Sequence, residues 1–338
     1  MIQLFTEKER NRFTAVRAGE TKAGEMIRLL PSLDELGKTE APFVLMGFKE
    51  DIGIRANLGK AGASNAWDYS IAALLNVQHN RFFDASKLCV AGVLEPTDLI
   101  EAAGKLNPSN LNDLQKLREL TAEVDQIVSS LVKKVVSHGK IPIMIGGGHN
   151  NAYGNISGSA QALQQKIDVL NIDPHTDYRA AEGRHSGNGF RYARQKDYLG
   201  KYFVFGLHEG YNGETILKEF DNDAQLSYST FEELLTATFE EKDRYFKNSL
   251  QWLGNGAIGL ELDMDSITRF PVSALNPSGF TLNQIRHYVR TASSLVRPVY
   301  FHICEGSPGQ AHGENERLLL GKSIAYLITD FIKSYGNL

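Results

Sequence analysis

Short apolar runs alternate with longer amphipathic segments along this chain, and that alternation narrows the folds it can adopt. The clearest helix lies within residues 117–136, where apolar residues recur at steps of three and four. Gly139 predicts the end of this helix, and the apolar run 141–145 predicts a strand directly after it. Strands and helices that alternate without hairpin signals predict an α/β fold, in which helices cover a parallel sheet.

Composition places the chain among ordinary globular proteins. It has 338 residues, 42% hydrophobic and 22% charged, with a net charge of −4. With no basic tract and no long apolar segment, we expect neither a nucleic-acid partner nor a membrane partner. No repeat or linker divides the sequence, so we predict one domain over residues 1–338, with 1–40 as an N-terminal lead-in. Cys89 and Cys304 lie in apolar runs and predict buried free thiols, which suits a cytoplasmic protein.

Charged side chains follow the apolar run 169–172 at intervals of two residues. Asp173, His175 and Asp177 can face one place beyond the end of this strand. In a parallel sheet that place is the crevice where ligands bind, and a bound cation is the natural partner for charges so close to an apolar strand. The alternative is a surface turn with a helix cap.

Two further strand ends carry matching side chains. The run 141–145 leads through three glycines to His149, and a lone histidine in such a place is more often a capping or core residue than a ligand. The run 257–265 ends in Asp263 and Asp265, again two residues apart. Together the three strand ends favour a metal site.

This set of side chains exceeds what one divalent ion normally takes from a protein. Its six members are His149, Asp173, His175, Asp177, Asp263 and Asp265. A two-metal site with bridging carboxylates would use them all, with ions about 3.5–4 Å apart. Oxygen ligands with two imidazoles suit Mn²⁺, and Fe, Co, Ni or Zn are also compatible. A water between two such ions would ionise near neutral pH and act as a nucleophile.

These motifs, in this order and at these separations, resemble the ureohydrolase family of arginases, agmatinases and formimidoylglutamases. The matching segments are G-G-G-H ending at His149, D-P-H-T-D from Asp173, E-L-D-M-D from Glu261, and Glu305 at a strand end. The resemblance covers roughly residues 40–335. It implies a three-layer α-β-α sandwich with a central, mostly parallel sheet of about eight strands, two Mn²⁺ per subunit, and hydrolysis of a guanidine or amidine C–N bond.

The resemblance also implies roles for individual residues. His149, Asp173, Asp177 and Asp263 would bind one ion; Asp173, His175, Asp263 and Asp265 would bind the other, with Asp173 and Asp263 bridging. A hydroxide between the ions would attack the amidinium carbon. Glu305 would pair with the cationic N–C–N group of the substrate. An ordinary salt bridge from Glu305 to Arg191 or Arg317 is the alternative.

Within the family, two segments resemble formimidoylglutamases more than arginases or agmatinases. One is G-G-G-H followed by N-N-A-Y-G, and the other is the loop 185–191, H-S-G-N-G-F-R. Ser186, Asn188 and Arg191 are therefore candidate substrate-binding residues, and the Arg191 fork suits a substrate carboxylate. Arg191 is equally consistent with a surface arginine beside its own acids. His185 is either a proton shuttle or a loop residue that precedes this run.

Several positions depart from the family pattern, and they bear on the substrate more than on the metals. Asn150 stands where Glu is usual, Pro174 where Ala is usual, and Glu261 where Ser is common. The leading hypothesis is hydrolysis of N-formimidoyl-L-glutamate to L-glutamate and formamide in histidine degradation. The alternatives are a guanidino hydrolase that releases urea and a non-catalytic family member. The family also implies a small-molecule substrate and a homo-oligomer, either a trimer or a hexamer.

Overall fold

The computed structural model describes residues 2–336, which form ten strands and thirteen α-helices. The strands are β1 (Ile2–Leu4), β2 (Arg28–Leu29), β3 (Phe43–Phe48), β4 (Leu88–Leu94), β5 (Ile141–Ile145), β6 (Ile167–Ile172), β7 (Leu199–Leu207), β8 (Leu226–Thr230), β9 (Ile258–Asp263) and β10 (Tyr300–Cys304). The helices are α1 (Glu7–Phe13), α2 (Ala23–Met26), α3 (Ile52–Ala56), α4 (Ala66–Leu75), α5 (Thr97–Gly104), α6 (Leu111–Ser137), α7 (Asn151–Leu163), α8 (Gly189–Gln195), α9 (Glu214–Asn222), α10 (Phe231–Leu235), α11 (Phe239–Leu253), α12 (Leu282–Leu295) and α13 (Glu314–Ser334).

All ten strands belong to one sheet, in the order β1-β4-β3-β5-β10-β9-β6-β7-β8, with β2 also paired to β4. The eight strands from β3 to β10 run parallel, and only β1 is antiparallel to its neighbour. The predicted α/β architecture with a mostly parallel sheet of about eight strands is therefore confirmed. The two additional strands are the short β1 and β2 of the N-terminal lead-in.

Two apolar layers hold helices against the two faces of the sheet. Helices α4, α11, α12 and α13 contribute to one layer, and α6, α7 and α8 contribute to the other. The strands between them are buried on both faces, which explains why β3 and β4 are apolar throughout. The result is the three-layer α-β-α sandwich that the resemblance implied.

The predicted helix around residues 117–136 is α6, and it packs against the helix that follows His149. The Asn110 side chain accepts hydrogen bonds from two backbone N–H groups of its first turn. Its apolar stripe packs on α7, which begins two residues after His149. The two helices approach closely because Gly154 has no side chain; a Cβ there would lie only 2.5 Å from Val128 Cγ1.

One expected helix differs in detail from the structure. The predicted helix over 231–252 is divided into α10 and α11, because Thr238 starts a new helix with its own capping box. The single domain expected over 1–338 stays a prediction, and residues 1 and 337–338 lie outside the described part. Within residues 2–336, every helix is too short or too polar to cross a membrane.

Candidate metal centre

Four neighbouring strands, in the order β5-β10-β9-β6, end at one edge of the sheet. Asp263 is the last residue of β9, Asp173 follows β6, and Glu305 follows β10. His149 lies four residues beyond the end of β5. Segments far apart in the sequence therefore meet in the crevice at the carboxyl ends of parallel strands.

The turn before His149 depends on glycine. Gly146 and Gly147 have φ values of +83° and +70°, which L side chains rarely adopt. A Cβ on Gly147 would also lie 2.4 Å from Asn151 Nδ2. That amide instead donates to the buried carboxylate of Glu50 at 2.6 Å. The turn is thereby fixed, and the imidazole of His149 is carried over the end of the sheet.

Three carboxylates surround one ring nitrogen of His149. Its Nδ1 lies 2.9 Å from Asp177 Oδ2, 3.1 Å from Asp173 Oδ2 and 3.3 Å from Asp263 Oδ2. Ligand atoms from these four residues all lie within 4.8 Å of one another. This spacing suits a single cation between them, and it coincides with the first ligand group expected from the sequence.

A second group adjoins the first and shares Asp173. His175 Nδ1 lies 3.1 Å from Asp265 Oδ2 and 3.4 Å from Asp173 Oδ1. Asp173 thus turns one carboxylate oxygen to His175 and the other to His149, as a bridging ligand would. Asp263 belongs to the first group but not to the second, Asp173–His175–Asp265. The bridging role of Asp263 stays a prediction.

The charges in this cluster fit bound cations. Burial, Asp265 and Asp173 raise the pKa of Asp263 well above its usual value, and burial and Asp173 raise the pKa of Asp177. Burial also raises the pKa of Asp265 to about 6, against the opposing effect of His175. Buried carboxylates this close disfavour one another's ionisation unless a positive charge lies between them.

Buried atoms without hydrogen-bond partners in the cluster also indicate bound cations. Neither ring nitrogen of His149 makes a hydrogen bond, and neither does Asp265 Oδ1, although all three are buried. Buried polar atoms normally have partners, so these three require an explanation. Carboxylate oxygens together with two imidazoles form a donor set suited to Mn²⁺ and similar ions. The residues present therefore fit two divalent cations.

A cavity of 670 Å³ opens above the cluster. Its floor is acidic, formed by Asp177, Asp263, Asp265 and Glu305 together with His175. Two cationic side chains, Lys60 and Arg179, also line it. The cavity therefore combines a negative floor with positive groups on its wall.

Glu305 lies at the floor of this cavity in a constrained conformation. Its φ is +61°, and its Oε1 accepts a hydrogen bond from the His149 N–H at 2.9 Å. Burial and Asp263 raise its pKa well above the usual value. The alternative salt bridges are absent from the described residues, since Arg191 pairs with Glu219 and Arg317 with Glu314.

His185 and Asn188, two of the candidate site residues, do not line the cavity. Asn188 is fully buried, and its Nδ2 donates to the carbonyls of Gly183 at 2.8 Å and Ala180 at 3.2 Å. His185 Nδ1 accepts a hydrogen bond from the Gly187 N–H at 3.2 Å. Both side chains instead hold the loop in shape.

The charge state of His185 also argues against a proton shuttle. Burial and three nearby arginines lower its pKa to about 3, and the Glu182 carboxylate at 3.3 Å does not offset them. A group that shuttles protons needs a pKa near the working pH. The low pKa favours the second of the two roles open to His185 from the sequence, that of a loop residue, and its role stays a prediction.

Arg191, expected to bind a substrate carboxylate, also lies outside the residues that line the cavity. Its Nε donates to the carbonyls of Tyr178 at 3.0 Å and Arg179 at 2.7 Å, and its Nη2 donates to Glu219 at 2.8 Å. With its fork engaged in this way, it does not reach the cavity. Ser186 does line the cavity, where its hydroxyl accepts from Asn57 Nδ2 at 3.1 Å.

Sequence reasoning missed Arg179, which lines the cavity where Arg191 does not. It donates to Asn57 Oδ1 at 2.7 Å, and its side chain is 51% exposed. The available signal was its place two residues after Asp177 in the segment that carries three ligands. Asp177 has a φ of +43°, which turns the following chain along the cavity wall.

Comparisons with known proteins agree with this geometry. The chain matches the Arginase family over residues 43–329. A formimidoylglutamase from Geobacillus sp. (strain WCH70) is 29% identical over 293 residues, which are 84% of this chain and 82% of the relative.

Solved structures show the same fold. Formimidoylglutamase from Bacillus subtilis superposes with a TM-score of 0.74 at 16% identity, covering 95% of this chain and 94% of that one. Trypanosoma cruzi formiminoglutamase with Mn²⁺ superposes with a TM-score of 0.70 at 20% identity, covering 92% and 98%. The family resemblance read from the three strand-end motifs is confirmed, and the chain belongs to the arginase family.

Proposed function

We propose that this protein is a manganese-dependent hydrolase that converts N-formimidoyl-L-glutamate and water to L-glutamate and formamide. The observation that carries the proposal is the polarity of the cavity, which is acidic at its floor and basic on its wall. The proposed substrate has the complementary pattern, with a cationic amidinium at one end and two carboxylates at the other. The relative from Geobacillus, named as a formimidoylglutamase, supports the same reaction.

We assign the ions to the six clustered side chains. His149, Asp173, Asp177 and Asp263 would hold one Mn²⁺, and Asp173, His175 and Asp265 would hold the other, with Asp263 as the second bridging ligand that the family resemblance implies. When bound, the pair of ions would supply Lewis-acid chemistry and a water acidic enough to ionise near neutral pH. The remaining work of binding and orientation falls to the residues around the cavity.

Glu305 would orient the amidinium. One of its carboxylate oxygens is occupied by the His149 N–H, which leaves Oε2 for the substrate. A planar cation bound by a carboxylate forms a charge-assisted hydrogen bond. The cation would also favour the ionised form of Glu305, whose pKa is otherwise raised by burial.

Arg179 and Lys60 would favour an acidic substrate tail. Both line the cavity, and the side chain of Arg179 is half-exposed, so its guanidinium can be reached from solvent. The two carboxylates of formimidoylglutamate would gain from these cations, whereas the free amine of agmatine would be repelled by them. This charge pattern favours the proposed substrate over agmatine.

Proton transfer to the departing nitrogen would come from the cavity itself. His185 is excluded by its burial and by its neutral ring. Asp177 and Glu305 are the carboxylates that line the cavity beside the proposed ions and the proposed position of the amidinium. A carboxylate at that position could accept a proton from the attacking water and pass it to the departing nitrogen, acting first as a general base and then as a general acid.

A substrate panel with metal analysis tests the proposal. The purified protein, reconstituted with Mn²⁺, is incubated with N-formimidoyl-L-glutamate, L-arginine and agmatine, and formamide and urea are quantified. We expect formamide from the first substrate alone, with turnover lost after chelation. Urea from either of the other two, without formamide, would favour a guanidino hydrolase.

The non-catalytic alternative has its own marker. Less than one equivalent of divalent ion after Mn²⁺ reconstitution, with no turnover of any substrate, would favour it. The trimer or hexamer and the cytoplasmic location stay predictions from the sequence. Light scattering of the purified protein measures the first, and cell fractionation measures the second.

A further inference from the structure

One buried acidic side chain that is not among the six proposed ligands lies directly beneath them. Glu261 is a fully buried residue of β9, two positions before Asp263. Side chains two apart on a strand share a face, so Glu261 sits one layer below that ligand. A charged side chain inside an apolar strand is costly unless it is paired.

His302 is the partner of Glu261. The two residues are in register on neighbouring strands β10 and β9. His302 Nδ1 lies 2.6 Å from Glu261 Oε2, and its Nε2 lies 3.3 Å from the carbonyl oxygen of Gly146. Both ring nitrogens of His302 thus face oxygen atoms. His302 therefore fixes the Glu261 carboxylate and also contacts the turn that leads to His149.

The same oxygen of Glu261 also faces His149. Glu261 Oε2 lies 3.6 Å from His149 Nε2, while His149 Nδ1 faces the three carboxylates of the first ligand group. The edge of the His149 ring meets Phe190, with centroids 5.2 Å apart and planes at 87°. A small closure would form the Nε2–H···Oε2 hydrogen bond, because Nε2 has no hydrogen-bond partner among the described residues. The thiol of Cys304 also lies within 4.8 Å of a ring nitrogen of His149.

We propose that Glu261, held by His302, is a positioning residue that accepts a hydrogen bond from the Nε2–H group of His149. The His149 lone pair on Nδ1 is then directed at the site formed with Asp173, Asp177 and Asp263. A carboxylate behind a ligating imidazole fixes its tautomer and its orientation. The inference rests on the ligand set proposed above but not on the identity of the substrate.

The two ligand groups give this inference a selective consequence. His149 belongs to only one of them, and the second is formed by Asp173, His175 and Asp265. Loss of the Glu261 contact should weaken one ion and leave the other unchanged. A general structural role for the buried Glu261–His302 pair would instead lower stability without distinguishing between the two ions.

Metal titration of three variants tests the inference. Glu261→Leu removes the acceptor, and Glu261→Gln keeps an amide oxygen in its place. Asp330→Asn is the control, because Asp330 is another buried acid, paired with Arg286 in the α12–α13 layer. Apo-protein is titrated with Mn²⁺ by calorimetry, and spin coupling between the two ions is followed by electron paramagnetic resonance.

We expect Glu261→Leu to weaken one of the two ions about 10- to 100-fold, the range typical of such outer-shell partners. The coupled signal should give way to that of an isolated Mn²⁺ at concentrations that fill both sites in the wild type. Glu261→Gln should show a smaller loss, and Asp330→Asn should bind both ions as the wild type does. Two ions bound with unchanged affinity in both Glu261 variants would overturn the inference.

A measurement on the wild-type protein decides the matter if Glu261→Leu does not fold. With ¹⁵N-labelled histidine and Zn²⁺ as a diamagnetic ion, His149 should carry its proton on Nε2. A proton on Nδ1 instead would refute the assigned orientation. Failure of the wild type to bind two ions would overturn the ligand set itself, whereas loss of selectivity in the variants alone would overturn only the role of Glu261.

Discussion

Replacement of Arg179 tests whether the cavity wall selects an acidic substrate. In Arg179→Ala the guanidinium is removed from the wall while the six clustered ligands are untouched. A hydrogen bond to a charged group contributes about 1.5–3 kcal/mol. Arg179 is 51% exposed and already donates to Asn57 and Glu182, so solvent screening and competition reduce this to about 1–2 kcal/mol.

That free energy corresponds to a rise in KM of about 5- to 30-fold for N-formimidoyl-L-glutamate. The value of kcat should change little, because the contact is made to the substrate tail in both ground and transition states. Steady-state kinetics at two ionic strengths measure both effects. The KM of the wild type should rise with added salt more than that of Arg179→Ala, since exposed charges are screened.

Arg191→Ala is the matched control for this experiment. Arg191 is bound to two backbone carbonyls and to Glu219, so its loss should lower the free energy of unfolding and leave KM unchanged. An unchanged KM in Arg179→Ala would show that the wall does not bind the substrate carboxylate. A raised KM in Arg191→Ala alone would restore the role first expected from the sequence.

Three further predictions concern the metals and pH. Asp173→Ala should release both ions and abolish turnover, because the two carboxylate oxygens of Asp173 face both ligand groups. Metal analysis that finds both ions retained in this variant would contradict the prediction. Chelation should lower the free energy of unfolding by about 2.7 kcal/mol per ion relative to protein in Mn²⁺ at 100 times Kd, measured by urea denaturation. The pKa of His185 falls to about 3 on folding, so the unfolded chain binds this proton first and stability should fall as pH drops below about 6.5. His185→Asn should remove about 1.5–2 kcal/mol of that loss between pH 6.5 and 5, and an identical pH dependence in both proteins would refute the buried neutral ring.

The clustering of the six proposed ligands could be predicted because strand geometry fixes their positions locally. Asp173, His175 and Asp177 follow one strand at intervals of two, and Asp263 and Asp265 end another. Parallel strands place their carboxyl ends at one edge, so the convergence needed no knowledge of strand order. The parallel sheet covered by helices followed from the alternation of strands and helices, and the three-layer arrangement was implied by the family resemblance.

The substrate-side residues could not be predicted in this way. Arg191 and Arg179 are both arginines near the same loop, and only tertiary packing decides which one lines the cavity. Helix α8 turns Arg191 onto Tyr178, with its guanidinium 4.4 Å from the ring centroid. The loop at His185 is likewise shaped by contacts from α6, since Asp125 binds the Arg184 beside it at 2.6 Å. Such contacts join residues distant in the sequence, and no local pattern encodes them.

Polar residues in the layer beneath the proposed ligands could be recognised from the sequence. Asn171 and Glu261 are in register on neighbouring strands, and each lies two residues before a proposed ligand. Asn171 Nδ2 donates to Asp173 Oδ2 at 2.9 Å, just as Glu261 faces His149. In a sheet buried on both faces a polar residue must be paired, so one that interrupts an apolar strand indicates a specific partner nearby. A polar residue two positions before a strand-end ligand therefore predicts a side chain that orients the metal site, and the same period of two that places the ligands also places their supports.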